Sequence, residues 1–260
     1  MRAYRGGRLE ARDDVLTPEE PLELRVNGRS VSITLRTPGA DDELALGFLY
    51  GEGLLRDRAA LRSVAHVGPE RNILAIETAE PLDLSRLERH FYATSSCGVC
   101  GKRALDLVAT LAPPVTAAVR VTPDWLLGLP DRLAAAQATF AQTGSLHATG
   151  LFAADGELLV SYEDVGRHNA VDKVIGHSFL AGLLPLAGHV MLVSGRASFE
   201  IMQKAAVAGI PVVAALSGPS TLAADLAERA GITLVGFLRG DRFNVYSHAE
   251  RIAAPGQAVY

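Results

Sequence analysis

Strand-like and helix-like segments alternate from residue 144 to the end of the chain, and this alternation constrains the fold more than any other feature of the sequence. Apolar runs such as HVMLVSG and ITLVGFLRG alternate with segments of helical spacing, and short turns of Gly, Ser or Pro follow the strands. Parallel strands need a crossover connection, which is usually a helix. The pattern therefore predicts an α/β fold with a mostly parallel sheet and helices on both faces.

Sheets of this kind bind ligands at the carboxyl ends of their strands. The sequence places three such ends at Ser194–Arg196, Ser217–Ser220 and Arg239–Arg242. Arg196, Arg239 and Arg242 are candidate phosphate ligands, because a guanidinium group can bind two phosphate oxygens at once. Neither the P-loop pattern nor the glycine fingerprint of dinucleotide-binding folds occurs, and any single Arg here also fits an ordinary surface cation.

The first part of the chain is predicted to be rich in β-strands. LELRV-NG-RSVSITL is typical of a hairpin about Asn27-Gly28, and NILAIET of a short strand. Residues 122–144 predict one helix or a pair broken at Pro130. A second hairpin is expected about Asp155-Gly156. We divide the chain into residues 1–143, an N-terminal β/α region with both cysteines, and residues 144–260, a C-terminal α/β region.

Charge and hydropathy limit the classes of partner. The net charge of −4 gives no overall basic field that would attract nucleic acid. Charged residues, Gly or Pro interrupt every apolar run well before the length of a membrane span. The charged N-terminus lacks the apolar core of a secretion signal. We therefore expect a cytoplasmic protein without a membrane or nucleic-acid partner, whose thiols are reduced at rest.

The only two cysteines, Cys97 and Cys100, lie together in the stretch TSSCGVCGK. A C-x-x-C pair suits half of a zinc site, a dithiol redox centre, or a carrier that holds sulfur as a persulfide. A second C-x-x-C and an H-x₃₋₅-H spacing are both missing, so we predict no metal site. Lys102, Arg103 and a predicted helix start favour a nucleophilic thiolate. Of the three chemistries, the sulfur carrier needs the fewest further residues, namely one accessible and nucleophilic thiolate. Two structural cysteines remain an alternative.

Polar residues also crowd one predicted strand-to-helix corner, SYEDVGRHNAVDKVIGH. Glu163 ends a strand, and Arg167 and His168 open a helix. One interpretation is a capped surface helix, with solvated pairs at a spacing of four residues between His168 and Asp172 and between Asn169 and Lys173. The other is a histidine held by a carboxylate in a ligand cleft. The sequence gives Glu163, Arg167 and His168 no definite role.

Taken together, the segments resemble the FdhD family of formate dehydrogenase accessory sulfurtransferases. The resemblance runs from about Val26 to Arg251. It depends on long and specific motifs, which are SSCGVCGK, HATGLF, YEDVGRHNAVDKVIG, SGRASFEIMQKA and GFLRGDRFNVY. It implies a cytidine-deaminase-like α/β fold and a homodimer, although this chain lacks the zinc signature of the deaminases.

The resemblance also implies a function and a set of residues. Members of the family take persulfide sulfur from a cysteine desulfurase and pass it to bis(molybdopterin guanine dinucleotide), which carries molybdenum or tungsten and is then inserted into formate dehydrogenase. Cys97 would hold the persulfide, with Cys100 as its companion. A guanine nucleotide would mimic the cofactor. The implied cofactor-binding residues, in the C-terminal region, are Phe237, Leu238, Arg239, Gly240, Asp241 and Arg242.

A binding function without sulfur transfer is the alternative. In that case the protein is a chaperone that holds the cofactor, and the cysteine pair is a structural metal clip. Bound zinc and loss of stability on chelation would identify the chaperone, whereas a carrier would be metal-free and would react readily with thiol reagents.

Overall fold

Two small sheets form the N-terminal part of the protein. The computed structural model describes residues 1–85, 105–106, 108–109 and 111–253. The elements here are β1 (Arg2–Arg5), β2 (Arg8–Ala11), β3 (Glu20–Val26), β4 (Arg29–Arg36), α1 (Asp41–Gly51), a 3₁₀ turn (Arg58–Ala60), β5 (Leu61–Val67) and β6 (Ile73–Thr78). Strands β1 and β2 pair with each other, and the second sheet has the order β4-β3-β6-β5.

The hairpin predicted at Asn27-Gly28 is confirmed. Strands β3 and β4 pair in antiparallel fashion, and Asn27 and Gly28 have φ values of 47° and 77°. Two successive left-handed residues define the type I′ turn, whose twist matches that of the flanking strands. The strand predicted at NILAIET is β6, which runs parallel to β3.

The larger, six-stranded sheet lies in the C-terminal part. The elements are α2 (Pro123–Ala135), α3 (Ala138–Thr143), β7 (His147–Ala153), β8 (Leu158–Asp164), α4 (Arg167–Leu180), β9 (His189–Val193), α5 (Phe199–Ala208), β10 (Val212–Ala215), α6 (Thr221–Ala230), β11 (Thr233–Arg239), β12 (Arg242–Ser247) and a 3₁₀ turn (Ala249–Arg251). The strand order is β12-β11-β10-β9-β7-β8. The α/β class, with N-terminal strands and flanking helices, is confirmed.

The centre of this sheet is parallel and its sides are antiparallel. Strands β9, β10 and β11 run in one direction and are joined by α5 and α6. The hairpins β7–β8 and β11–β12 add the antiparallel pairs, and β7 also pairs antiparallel with β9. The start of β7 therefore lies at the same edge as the carboxyl end of β9.

Hydrophobic side chains cover both faces of the sheet. On one face Met191, Val213 and Leu234 pack with residues of α1, α4, α5 and α6 in the larger core. On the other face Leu192 and Val235 pack with α2. Helix α2 precedes residue 143 but packs on the six-stranded sheet, and α1 shares the larger core with it. The division of the chain at residue 143 therefore stays a prediction.

Helices α1 and α4 cross at backbone contact. A methyl group added to Gly47 would lie 1.8 Å from the carbonyl oxygen of Asp172, and one added to Gly176 would lie 1.8 Å from that of Glu43. Real carbon and oxygen atoms do not approach so closely, so only glycine fits at either position. This crossing fixes the N-terminal part against the start of α4.

The predicted helix break at Pro130 is wrong. Pro130 lies inside α2, and the chain leaves the helix after Ala135 instead. Leu126, Leu129 and Leu133 are fully buried on one face of α2. Burying three leucines contributes about 4.5–9 kcal/mol, which exceeds the roughly 3 kcal/mol that an interior proline costs.

Two further expectations are met in the described part of the chain. The residues described between 105 and 111 are helical and helix ends before Pro113-Pro114, but the predicted start near Lys102 lies outside the described residues. The hairpin about Asp155-Gly156 is present, with Gly156 at a φ of 97°. No helix within the described ranges is long and apolar enough to cross a bilayer.

Candidate functional site

The carboxyl ends of β9, β10 and β11 form one continuous edge, as predicted. The backbone N–H of Ser220 donates to the carbonyl of Ala197 at 3.1 Å, and that of Phe237 donates to the carbonyl of Ser217 at 3.1 Å. The first bond joins the loop after β9 to the loop after β10, and the second joins the loop after β10 to β11. A ligand lying along the edge would therefore meet all three loops.

The hairpin between β11 and β12 projects from one end of the edge. Phe237 has a φ of 53°, in the left-handed region, and its ring covers Gly218. A methyl group on Gly218 would lie 2.6 Å from the ring carbon Cζ of Phe237. The guanidinium carbon of Arg239 lies 5.9 Å from the centre of the same ring, within the range of a cation–π contact. Phe237 thus links the middle loop to the arginine of the hairpin.

The residues implied as cofactor ligands differ in accessibility. The side chain of Leu238 is fully buried in the second core, so it supports the hairpin from below. The others are exposed: Phe237, Arg239, Gly240, Asp241 and Arg242. Arg239 and Arg242 are partners across the hairpin, which brings two cations to one tip. Arg196 is also exposed on the first loop of the edge.

The other end of the edge carries two histidines and an arginine. His147 starts β7 and lies opposite Asp164 in the ladder with β8. A methyl group on Gly195 would lie 3.4 Å from Nδ1 of His147 and 3.3 Å from Cδ of Arg167. The two side chains therefore meet over the same glycine.

Asp164 holds the corner that presents Arg167 and His168. Its carboxylate is completely buried. Its Oδ1 accepts from the backbone N–H of Gly166 at 2.8 Å and from Nδ2 of Asn169 at 2.9 Å. Its Oδ2 accepts from Nζ of Lys173 at 2.7 Å and from the backbone N–H of Thr37 at 3.2 Å. With its hydrogen bonds satisfied, this buried charge fixes the start of α4.

Both histidines at this end are held in the neutral form. Burial and the positive charge of Arg167 lower the pKa of His168 to about 4. The same two causes lower the pKa of His147. His168 Nε2 lies 3.0 Å from Oγ of Ser198 and 3.8 Å from a carboxylate oxygen of Glu200. A histidine beside a carboxylate was one of the two sequence interpretations of this corner, although Glu200 is exposed.

The other interpretation, a helix with solvated pairs on one face, is wrong for α4. Asp172 binds Nζ of Lys204 on α5 at 2.7 Å, and Lys173 binds Asp164. Both lysines are nearly fully buried. The helix is packed between α1, α5 and the sheet, so its charged groups find partners on those elements and not on its own surface.

Glu163 has a structural role. Its carboxylate oxygens accept from the backbone N–H groups of Thr139 at 2.9 Å and Phe140 at 2.7 Å. Those N–H groups lie in the first turn of α3, where they have no partner within the helix. Glu163 therefore caps α3 from a neighbouring strand.

The sequence did not single out His147 and Ser198 as site residues. His147 reaches the edge because β7 lies between β8 and β9, a strand order that no local pattern reveals. Ser198 directly precedes α5, and a serine at a helix start was a usable signal.

Cys97 and Cys100 are outside the described residues. A cavity of about 710 Å³ lies beside the N-terminus of α1, next to Arg36, Asp41 and His66, and shares no residue with the edge. We assign the site to the edge because three strand ends meet there, where sheets of this kind bind ligands. In the described ranges, no group of three or more His, Cys, Asp or Glu residues could hold a metal ion.

Comparison with known sequences gives matches along almost the whole chain. Residues 17–253 match the model of the FdhD/NarQ family. The chain is 51% identical to the sulfur carrier protein FdhD of Streptomyces coelicolor, over 96% of this chain and 93% of the relative. It is 50% identical to the protein of that name from Mycobacterium tuberculosis, over 93% and 92%. The protein of that name from Sulfurisphaera tokodaii is 44% identical over 92% of both chains.

A solved structure has the same fold. It is the crystal structure of a protein from Desulfotalea psychrophila, provisionally assigned as a formate dehydrogenase accessory protein. The two chains superimpose with a TM-score of 0.78 over 97% of each, at 27% sequence identity. The similarity extends over both the N-terminal sheets and the six-stranded sheet.

Proposed function

The chain belongs to the FdhD/NarQ family, and we propose that it carries sulfur as a cysteine persulfide from a cysteine desulfurase to the bis(molybdopterin guanine dinucleotide) cofactor of formate dehydrogenase. The observation that carries the proposal is 51% identity to a sulfur carrier protein over 96% of the chain. The only two cysteines form one C-x-x-C pair, as a carrier of this kind requires. The fold shared with a formate dehydrogenase accessory protein supports the choice of client.

Loading is a thiolate exchange at Cys97. The thiolate attacks the terminal sulfur of the donor persulfide, the sulfur–sulfur bond of the donor breaks, and the donor cysteine leaves as a thiolate. Cys97 then holds the sulfur as a persulfide. Lys102 and Arg103, next in sequence, favour the thiolate form that this attack needs.

Release needs two electrons, because the terminal sulfur is formally neutral whereas a metal takes it as sulfide. Cys100 supplies them. Its thiolate attacks the sulfur of Cys97 and forms a Cys97–Cys100 disulfide, and the terminal sulfur leaves with the electron pair of the broken bond. The acceptor metal takes up the sulfide, and a dithiol reductant then restores both thiols.

The acceptor lies along the carboxyl edge of the six-stranded sheet in this proposal. Arg239 and Arg242 bind phosphate, and Asp241 accepts hydrogen bonds from the guanine edge. Their exposure at the tip of the β11–β12 hairpin supports these roles. A guanine nucleotide alone would then bind as a mimic. The homodimer and the cytoplasmic location stay predictions.

The test is intact-protein mass spectrometry after incubation with a cysteine desulfurase and cysteine. We expect a reducible gain of one sulfur, about 32 Da, in the parent protein. Cys97→Ala should lose the gain without unfolding. Cys100→Ala should keep it, because Cys100 acts only at release.

Two outcomes would contradict the proposal. A gain of sulfur in Cys97→Ala would show that Cys97 is not the residue that carries the persulfide. Failure of every sample to gain sulfur, together with stoichiometric zinc, would favour the chaperone with a structural metal clip. A guanine nucleotide would bind in either case, so nucleotide binding alone does not separate the two functions.

A further inference from the structure

Arg167 has a hydrogen-bond donor with no acceptor in the part of the chain that the structure describes. Its Nε is buried, and no described residue accepts a hydrogen bond from it. Leaving a buried charged donor unpaired is unfavourable by more than about 1–3 kcal/mol, so such groups usually have a partner. Arg36, by contrast, binds both oxygens of Asp41 at 3.0 Å. The missing partner of Arg167 is therefore an acceptor that residues 1–85 and 111–253 do not supply, which leaves this donor available to a ligand.

The surroundings of Arg167 fit an anion of low charge. His147 and Arg167 meet over Gly195, where the absence of a side chain lets both come within 3.4 Å of the position that a methyl group would occupy. Both imidazoles have lowered pKa values, so they are neutral near pH 7 and offer N–H donors without a second full charge. The nearby cation Lys204 is already neutralised by Asp172. The carboxylate of Glu200, on the side of His168, repels further negative charge.

We infer that Arg167, with the imidazoles of His147 and His168 beside it, binds the terminal sulfur anion of a persulfide. A persulfide and a phosphate dianion would meet the same cation and the same carboxylate of Glu200, but the persulfide brings half the negative charge and is therefore repelled less. A persulfide is a single-charged, weakly hydrated anion, which suits a half-buried site. The inference depends on the proposed function for the source of the persulfide, and adds the place where its sulfur is held.

The test uses hydrosulfide as the probe, under anaerobic conditions, with inorganic phosphate at the same pH as the comparison. The imidazole C2–H signals of His147 and His168 report binding in histidine-labelled protein, and are assigned with His147→Gln and His168→Gln. We expect saturable shifts of both signals with hydrosulfide. Arg167→Gln should weaken binding at least about tenfold, as loss of a charge-assisted hydrogen bond predicts.

Two further variants make the test specific. Arg167→Lys keeps the charge but removes the Nε–H donor, so its affinity should fall between those of the parent and Arg167→Gln. Arg62→Gln removes one exposed cation from β5 and should bind hydrosulfide as the parent does. Equal affinity in Arg167→Gln and the parent, or shifts that never saturate, would overturn the site. Tighter binding of phosphate would overturn the assignment to sulfur.

This test separates the site from the proposed function. Hydrosulfide binding needs no desulfurase, whereas loading of Cys97 is measured separately by mass. Arg62→Gln, which lies outside the site, should load with sulfur to the same extent as the parent. Loading without saturable hydrosulfide binding would overturn this inference alone. Saturable hydrosulfide binding in a protein that never gains sulfur at Cys97 would show that the site exists but that a persulfide is not its ligand.

Discussion

His168 and His248 lie in surroundings that move their pKa values in opposite directions. Burial and Arg167 lower the pKa of His168 to about 4. At His248 a hydrogen bond to the backbone carbonyl of Glu228, at 2.9 Å, and the carboxylate of Glu250 raise the pKa. These shifts link protonation to folding, so the two residues should give stability opposite dependences on pH.

We expect His168→Gln to resist acid better than the parent. In the folded protein His168 takes up its proton only near pH 4, but in the unfolded chain near 6.5. The unfolded state therefore binds the proton first, and the parent loses stability as the pH falls through this window. Urea unfolding at pH 7 and pH 5 measures the effect. The free energy of unfolding should fall less between these values in His168→Gln than in the parent.

His248→Gln is the matched control, with the opposite sign. Because its folded pKa is raised, His248 stabilises the protein below about pH 6.5 and this contribution disappears as the pH rises through the folded pKa. The stability that His248→Gln loses should thus be larger at pH 5 than at pH 8. Identical pH dependence in both variants would mean that neither histidine differs in protonation between the folded and unfolded states.

At the scale of the elements, the crossing of α1 and α4 determines how the two parts of the protein meet. Gly47→Ala places a methyl group where the carbonyl oxygen of Asp172 lies, so the helices must separate. We expect a loss of about 3 kcal/mol in the free energy of unfolding, at the upper end for overpacking. Gly176→Ala should behave similarly, since it meets the carbonyl of Glu43 in the same way.

Gly128→Ala tests whether the loss comes from the crossing and not from the glycine itself. Gly128 also lies inside a helix, but apart from its chain neighbours and its own helix backbone no described atom lies within 4 Å of the position that its methyl group would occupy. This substitution should stabilise the protein by about 0.5–1 kcal/mol through helix propensity. Similar losses in Gly128→Ala and Gly47→Ala would contradict the crossing as the cause.

Local patterns predicted the elements well, and contacts distant in sequence account for the errors. The turn residues Asn27-Gly28 and Asp155-Gly156 located both hairpins, because their backbone conformations are set by the residues themselves. The helix break predicted at Pro130 was wrong because α2 is stabilised by packing against the sheet, a tertiary contact that the local sequence does not reveal. The partners of Asp172 and Lys173 were missed for the same reason, since Lys204 and Asp164 lie on other elements.

For the candidate site, the sequence predicted the edge and singled out the corner with Arg167 and His168, but not that this corner lies at the other end of the edge. The three strand ends and the hairpin at Arg239 and Arg242 follow from the alternation of strands and helices and from the family resemblance. The cluster of His147, Arg167 and Ser198 depends on β7 pairing beside β9, which a single sequence does not encode locally. A site formed by several loops becomes visible only when the strand order is known.

At the scale of the whole molecule, the cores on the two faces of the large sheet should unfold together. Trp125 is the only tryptophan and lies on α2, against the second core, on the opposite face from α1. If the molecule is one cooperative unit, Gly47→Ala must shift the unfolding transition seen by Trp125 fluorescence as far as the one seen by far-ultraviolet circular dichroism. The strands shared by both cores are the physical reason, because neither core survives without them.

The outcome also decides whether residue 143 separates units of folding. The two probes should report the same transition in the parent, and Gly47→Ala should lower the free energy of unfolding by about 3 kcal/mol for both. This result would show that the N-terminal part and the large sheet stabilise each other. A Trp125 transition left unchanged by Gly47→Ala would show the reverse, because damage at the α1–α4 crossing would then not reach the far face of the sheet. We expect the first result, since α1 contributes Leu44, Leu46 and Leu49 to the core that covers the other face of the same strands.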